Sequence, residues 1–301
     1  MATSASRTTD TAVAADARRE TRSRRLSLSG LIAFGVLILV AVAILFPLVY
    51  AVLGGFKTNG QLAANPGVLL PTEWVFSNYI DVLFGEYAPT FWRQALNSVI
   101  VAGIAVALTV ALASGAAFVF ARMVFPGREA FYLLFVFGLL FPSAVAILPL
   151  YILVRDLGLS GNPLGVALPQ AAFGLPMTII ILRPFFHSIP SDLQDAAAID
   201  GCGPLRFFVK ILLPLSRPVL ATVSVLAIVG SWNAFLLPLV VLTDSGGWTL
   251  PLGVTNYSQQ YTTDTAKVLA FTTLSMVPAL IFYAFAERQL IRGLTSGAVK
   301  G

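Results

Sequence analysis

Few groups in this sequence could do covalent or metal chemistry. The 301 residues hold one histidine, His187, and one cysteine, Cys202. Single copies cannot supply a multi-histidine metal cluster, a cysteine-based zinc site or a disulfide framework. No G-x-x-x-x-G-K-[ST] phosphate loop occurs, so ATP has no such cradle on this chain. No catalytic residue and no metal ligand is therefore assigned. The polar groups within long apolar runs are uncharged: Asn97, Ser98, Thr109, Ser143, Gln170, Thr178, Ser224, Ser231, Asn233, Thr272 and Ser275. Hydroxyl and amide groups suit a neutral, hydroxyl-bearing solute, and they suit hydrogen bonds between helices equally well. Proton relays and ion-coupled pumps need intramembrane charge, and none lies within these runs.

The elements that carry these groups follow from composition. Apolar residues make up 57% of the chain and charged residues 11%, against about 25% charged in an average soluble domain. Mean hydropathy is +0.85. These values exclude a disordered chain and argue against a soluble enzyme. Charged residues cut the sequence into six uncharged runs, near 31–53, 96–120, 130–153, 163–183, 218–242 and 267–287. Each reaches the length of about 20 residues that a membrane-crossing helix needs, and lipid admits only helices or closed barrels. The expectation is an all-α, six-span membrane protein. Some 30 residues precede the first run, which is therefore expected to remain as an anchor rather than be cleaved.

Orientation follows from Lys and Arg. With the N-terminus inside, 15 of the 19 Lys and Arg residues fall on the cytoplasmic side and four, Lys57, Arg93, Arg155 and Lys267, outside. Both termini are expected in the cytoplasm. The arm 1–28, rich in Ala, Thr, Ser and Arg, reads as a disordered basic segment that touches anionic lipid. The six spans and their loops occupy 29–292, and 293–301 is a cytoplasmic tail. Prolines well inside the runs, Pro142 and Pro149 above all, predict kinked or broken helices of the kind that line transport pathways.

The longest inner loop, 184–217, has its own pattern. Ser191 and Gln194 are spaced as a capping box, with Asp192 in the first turn and strong helix formers at Ala196–Ala198. Gly201 predicts a left-handed stop. Pro204 predicts the start of a second short helix, 204–213, ended by Pro214. On the first helix Leu193, Ala196, Ala197 and Asp200 share a shallow face at i, i+3, i+4, i+7 spacing. Such a face could dock into a groove of another protein or lie on the membrane surface.

Asp195-Ala196-Ala197-Ala198-Ile199-Asp200-Gly201 resembles the EAA---G loop of permease subunits in binding-protein-dependent ABC importers. Ile189-Pro190 and Ile211-Leu212-Leu213-Pro214 fit the longer form of that pattern. Phe56-Lys57-Thr58, Asn97-Ser98, Ala121-Arg122, Phe125-Pro126-Gly127-Arg128, Pro149-Leu150-Tyr151, Leu157-Gly158-Leu159 and Ser231-Trp232-Asn233 resemble its carbohydrate-uptake branch. The tail Gly293–Gly301 is similar to that of the shorter permease of maltose-type transporters. The resemblance covers roughly 30–301.

It implies a type I importer permease fold and a non-catalytic subunit. The implied partners are a second homologous permease, two ATPase subunits that bind ATP, and an extracytoplasmic solute-binding protein. Membrane lipid surrounds the chain, and no nucleic acid is involved. Leu193, Asp195, Ala196, Ala197, Asp200 and Gly201 are the implied ATPase-coupling residues. The family's glutamate is Asp195 here, with the charge kept on a stem one methylene shorter. Asn97, Ser231 and Asn233 are the candidate solute contacts for a sugar or oligosaccharide. The alternatives are an ABC permease for a polyol, glycerophosphodiester or peptide, and an ion-coupled secondary transporter.

Overall fold

The computed structural model describes residues 28–86, 88–258 and 263–298. Tyr87, most of the basic arm and 299–301 lie outside the described residues. Two compact units meet at Tyr50 and Ala51. The first, from Leu28, is most of helix α1 (Leu28–Gly54), whose side chains from Leu31 to Val49 are exposed. An apolar helix exposed all round is a lipid-facing one by composition. No strand occurs among the described residues, only an isolated bridge from Ser258 to Thr263.

The second unit opens with α2 (Asn59–Ala64) and α3 (Ser77–Phe84). Thr58 caps α2 through its hydroxyl, which accepts from Gln61 N at 3.1 Å. The Tyr79 hydroxyl donates to Val52 O at 2.7 Å. Burial raises the Tyr79 phenol above its ordinary value, against a hydrogen bond with Thr273 that lowers it, so it stays a donor. Long helices α4 (Ala88–Arg122) and α7 (Pro163–Ser188) form the frame. The buried face of α4 is mostly small: Ala102, Ala105, Ala113, Ala117 and Ala121. Small residues let helix backbones approach closely in lipid, where no hydrophobic drive joins them. Gly174 on α7 shows how close: an added Cβ would lie 3.0 Å from Thr109 Cγ2 on α4.

Two expected spans are broken. The run 130–153 divides into α5 (Arg128–Gly138) and α6 (Ser143–Asp156), bent by 97°. Pro142 stands at the N-cap of α6 in extended conformation, as its fixed φ and missing N–H dictate. The run 218–242 divides into α11 (Arg217–Trp232) and α12 (Leu236–Val241). Among the described residues four helices are long and apolar enough to cross a membrane, or six if α5–α6 counts as one span and Pro204–Leu215 with Arg217–Trp232, bent by 80°, as another. Beyond these, α13 (Leu250–Gly253) leads to α14 (Thr265–Ala298). The first part of the expected tail, 293–298, continues α14 as helix.

The inner loop folds as α8 (Asp192–Ile199), then α9 (Pro204–Phe207), a π turn (Phe208–Leu212) and α10 (Leu213–Leu215). Three sequence expectations are corrected here. Ser191 is αR and its side chain caps nothing; a capping box needs an extended N-cap. Its carbonyl instead accepts from Gln194 N at 2.8 Å and Asp195 N at 3.0 Å. Pro214 does not end the second helix, which reaches Leu215. The π turn makes that tolerable: Leu213 N bonds Phe208 O, five residues back, and this wider register relieves the clash of a proline ring with the carbonyl four residues before it. Third, the four residues at i, i+3, i+4, i+7 do not share an exposed face, because Ala197 is buried against Phe186, Phe207 and Leu212.

Candidate functional site

The two helix breaks meet. A cavity of about 560 Å³ lies between them, walled by α4, α6, α7, α11 and α12. That volume is within the range of small-molecule sites, roughly 300–1,000 Å³. Its polar lining is Thr109, Ser143, Gln170, Ser231 and Asn233, and Phe173 and Phe235 are among its apolar residues. No ionisable side chain lines it.

Three of these polar groups stand at helix ends. Ser143 opens α6 just after Pro142, so the first N–H groups of α6 lack intrahelical partners. Ser231 and Asn233 stand at the C-terminus of α11, where Val229 O and Ser231 O accept from Asn233 N and Ala234 N and the other last-turn carbonyls lack intrahelical donors. A helix N-terminus carries partial positive charge and a C-terminus partial negative charge. The cavity thus holds donors and acceptors together, with no net charge on its walls. Ser231 Oγ donates to Gln170 Oε1 at 2.6 Å. The buried Gln170 Nε2 has no protein partner. The amide that carries it belongs to a residue of the cavity wall.

Of the three sequence candidates for solute contact, the structure brings two together. Ser231 and Asn233 line the cavity. Asn97 does not. Its Nδ2 donates to Gly246 O at 2.9 Å and Trp248 O at 3.0 Å, and Ser98 Oγ accepts from Leu250 N at 2.7 Å. Asn97-Ser98 is a fastening for the loop that leads into α13. Gln170, Thr109 and Ser143 stood among the polar residues of the spans but were not singled out. The signal was Pro142: a break that must leave orphan backbone groups facing something polar. Phe173 and Phe235 gave no sequence signal, since every span contains at least one aromatic residue.

At the inner loop, Gly201 has φ +74°, the left-handed stop its position required. Leu193, Asp195, Ala196 and Asp200 are exposed on and beside α8, with Ala197 turned inward as their anchor. Ile199 and Leu205 are 88% and 74% exposed. A shallow second cavity, about 450 Å³, runs along Gly203, Pro204, Leu205, Arg206, Val209 and Lys210. The loop therefore offers exposed apolar residues, Ile199 and Leu205, together with the carboxylates of Asp195 and Asp200 and the cations of Arg206 and Lys210.

Residues 110–290 match the family described as the inner membrane component of binding-protein-dependent transport systems. The chain belongs to this family. Membership sets aside the ion-coupled secondary transporter. Among its relatives, the diacetylchitobiose uptake system permease protein NgcG of Streptomyces coelicolor is 36% identical over 275 residues, covering 89% of this chain and 88% of that protein. The arabinooligosaccharides transport system permease protein AraQ of Halalkalibacterium halodurans is 35% identical over 276 residues, covering 91% and 97%. The trehalose transport system permease protein SugB of Mycobacterium tuberculosis is 33% identical over 237 residues, covering 78% and 85%. The fold is also that of a chain in the crystal structure of a bacterial ABC transporter involved in the import of alginate, with a TM-score of 0.75, 23% identity and coverage of 88% and 98%. The permease is thus a membrane-embedded transport component of the type I ABC importer fold.

Proposed function

We propose that this permease forms half of the translocation path of an ATP-driven importer for a sugar or oligosaccharide. The observation that carries the proposal is the uncharged, polar cavity where the break before α6 and the break after α11 meet. Pyranose hydroxyls donate and accept at once, and Gln170, Ser231, Asn233 and the two helix ends offer both functions. Phe173 and Phe235 supply apolar surface for the C–H faces of a sugar ring. The relatives named above, each a permease of a saccharide system, support the same substrate class.

The partners follow from the family mode of working: a second homologous permease, two ATPase subunits and an extracytoplasmic solute-binding protein. Both termini lie in the cytoplasm on this reading, since that places 15 of 19 Lys and Arg residues inside. Leu193, Asp195, Ala196, Asp200 and the Gly201 turn meet the ATPase, and Ala197 ties α8 to the core. ATP binding drives the spans from inward-open to outward-open only through a difference in affinity for the two states. The test is uptake of labelled diacetylchitobiose, trehalose, an arabinooligosaccharide and glycerol in cells with and without this chain. Loss of one saccharide, restored by the intact chain but not by one lacking 191–213, is the expected result. Loss of glycerol alone would refute the substrate class.

A further inference from the structure

The loop-side ends of α4 and α7 are fastened to each other by two arginines, one from each helix. The helices run in the same direction: Thr109 faces Gly174, Phe120 faces Arg183 and Arg122 reaches Ile189. From α4, the Arg122 guanidinium donates to the carbonyl of Ile189, the C-cap of α7. From α7, Arg183 Nε donates to Phe120 O at 3.3 Å, in the last turn of α4. Each cation thereby caps orphan carbonyls at the negative end of the other helix. Arg183 also reaches a third helix. Its second nitrogen pairs with Glu129 on α5 at 2.5 Å, and its guanidinium lies 3.9 Å over the Tyr132 ring.

This joint sits between the two functional regions. Ile189 is followed by Pro190 and then α8. Glu129 and Tyr132 belong to α5, which turns through 97° into α6, whose Ser143 lines the cavity. One guanidinium thus bridges the helix that enters the coupling loop and the hairpin that walls the solute site. Only arginine has the planar fork to hold a carbonyl, a carboxylate and an aromatic face at once.

We propose that Arg122 and Arg183 are positioning residues that carry displacement of the loop into the α4–α7 frame and, through Glu129, to the α5–α6 wall of the cavity. The proposal rests on the coupling reading above. Its test is amide hydrogen exchange on the importer isolated through this chain with its ATPase bound, with and without ATP. In the wild type, ATP alters exchange over 189–215 and over 128–150. In Arg183→Ala the loop still responds, while the response over 128–150 falls by about tenfold, within the usual span of coupling between sites. Arg183→Lys keeps the charge but not the fork, and it gives the same split. Should Arg183→Ala fail to assemble, Glu129→Gln combined with Tyr132→Leu decides, because together they remove the ion pair and the ring contact with α5 and leave both helix caps in place. Responses that stay matched over both segments in these variants overturn the clasp. Absence of any ATP response in the wild-type complex overturns the coupling reading, and the clasp with it.

Discussion

The α4–α7 pair and the two broken spans are built from the same apolar alphabet and behave oppositely. Along α4 and α7, small residues at Ala105, Ala113, Ala117 and Gly174 draw two helices together, and α7 stays one continuous helix although Pro169, Pro176 and Pro184 lie inside it. In α5–α6 and α11–α12, proline or a short unwound stretch interrupts the ladder, and the freed groups collect at one place. The frame supplies continuous walls to the cavity, with Thr109 from α4 and Gln170 from α7, and the breaks bring helix ends to it. In a membrane the location of a polar site is set less by polar side chains than by where the backbone stops satisfying itself.

Four substitutions probe this contrast. The largest effect is expected at Gly201, where φ +74° costs an L-residue about 1–2 kcal/mol locally and displaces everything from Cys202 to Leu215. Gly201→Val should reduce uptake by at least about tenfold, the scale of a coupling energy, while co-purification of the ATPase persists. Normal uptake in that variant would show that the turn is not needed for coupling. Next comes Gly174→Val in the frame. Its Cβ would meet Thr109 at 3.0 Å, an overpacking worth about 1–3 kcal/mol. Thermal unfolding followed by size-exclusion should show a lower Tm for the detergent-solubilised chain. An unchanged Tm would mean that α4 and α7 are free to separate.

At the cavity wall the expected effect is smaller and of another kind. Gln170→Ala should raise the KM for solute by about tenfold, the equivalent of one good hydrogen bond at about 1.4 kcal/mol, with little change in Tm. A lower Tm and an unchanged KM would make Gln170 a strut of the frame. The smallest effect belongs to Asn97→Ala. Losing two bonds to the 243–249 loop should cost about 1 kcal/mol of stability and leave KM where it was. A shift in KM would return Asn97 to the solute path.

Much of this was legible in the sequence, and what was missed has identifiable causes. Runs of uncharged residues located the helices, because the cost of charge in lipid is large and local. Gly201 located its turn, because few residues other than glycine tolerate positive φ. The capping box at Ser191 failed because spacing says which side chain could cap, while the αR backbone that Ser191 adopts is not written in that spacing. Ala197 was placed on an exposed face because helical periodicity finds a stripe without saying which neighbour covers it. Asn97 and Ser231 looked alike in sequence, both being amide or hydroxyl groups near span ends. One fastens a loop and the other lines the cavity.

The sequence by itself determined that the chain crosses a membrane as helices, that its spans carry no charge for ion coupling, and that an inner loop turns at a glycine. These depend on solvation and local backbone sterics, which act residue by residue. Only the tertiary structure decided that the breaks in two separate spans face one cavity, that Gln170 keeps an unpartnered donor there, and that Arg122 and Arg183 cap each other's helices. Those facts depend on which helices stand side by side, and residues 60 or more positions apart become neighbours only once α4 and α7 have packed.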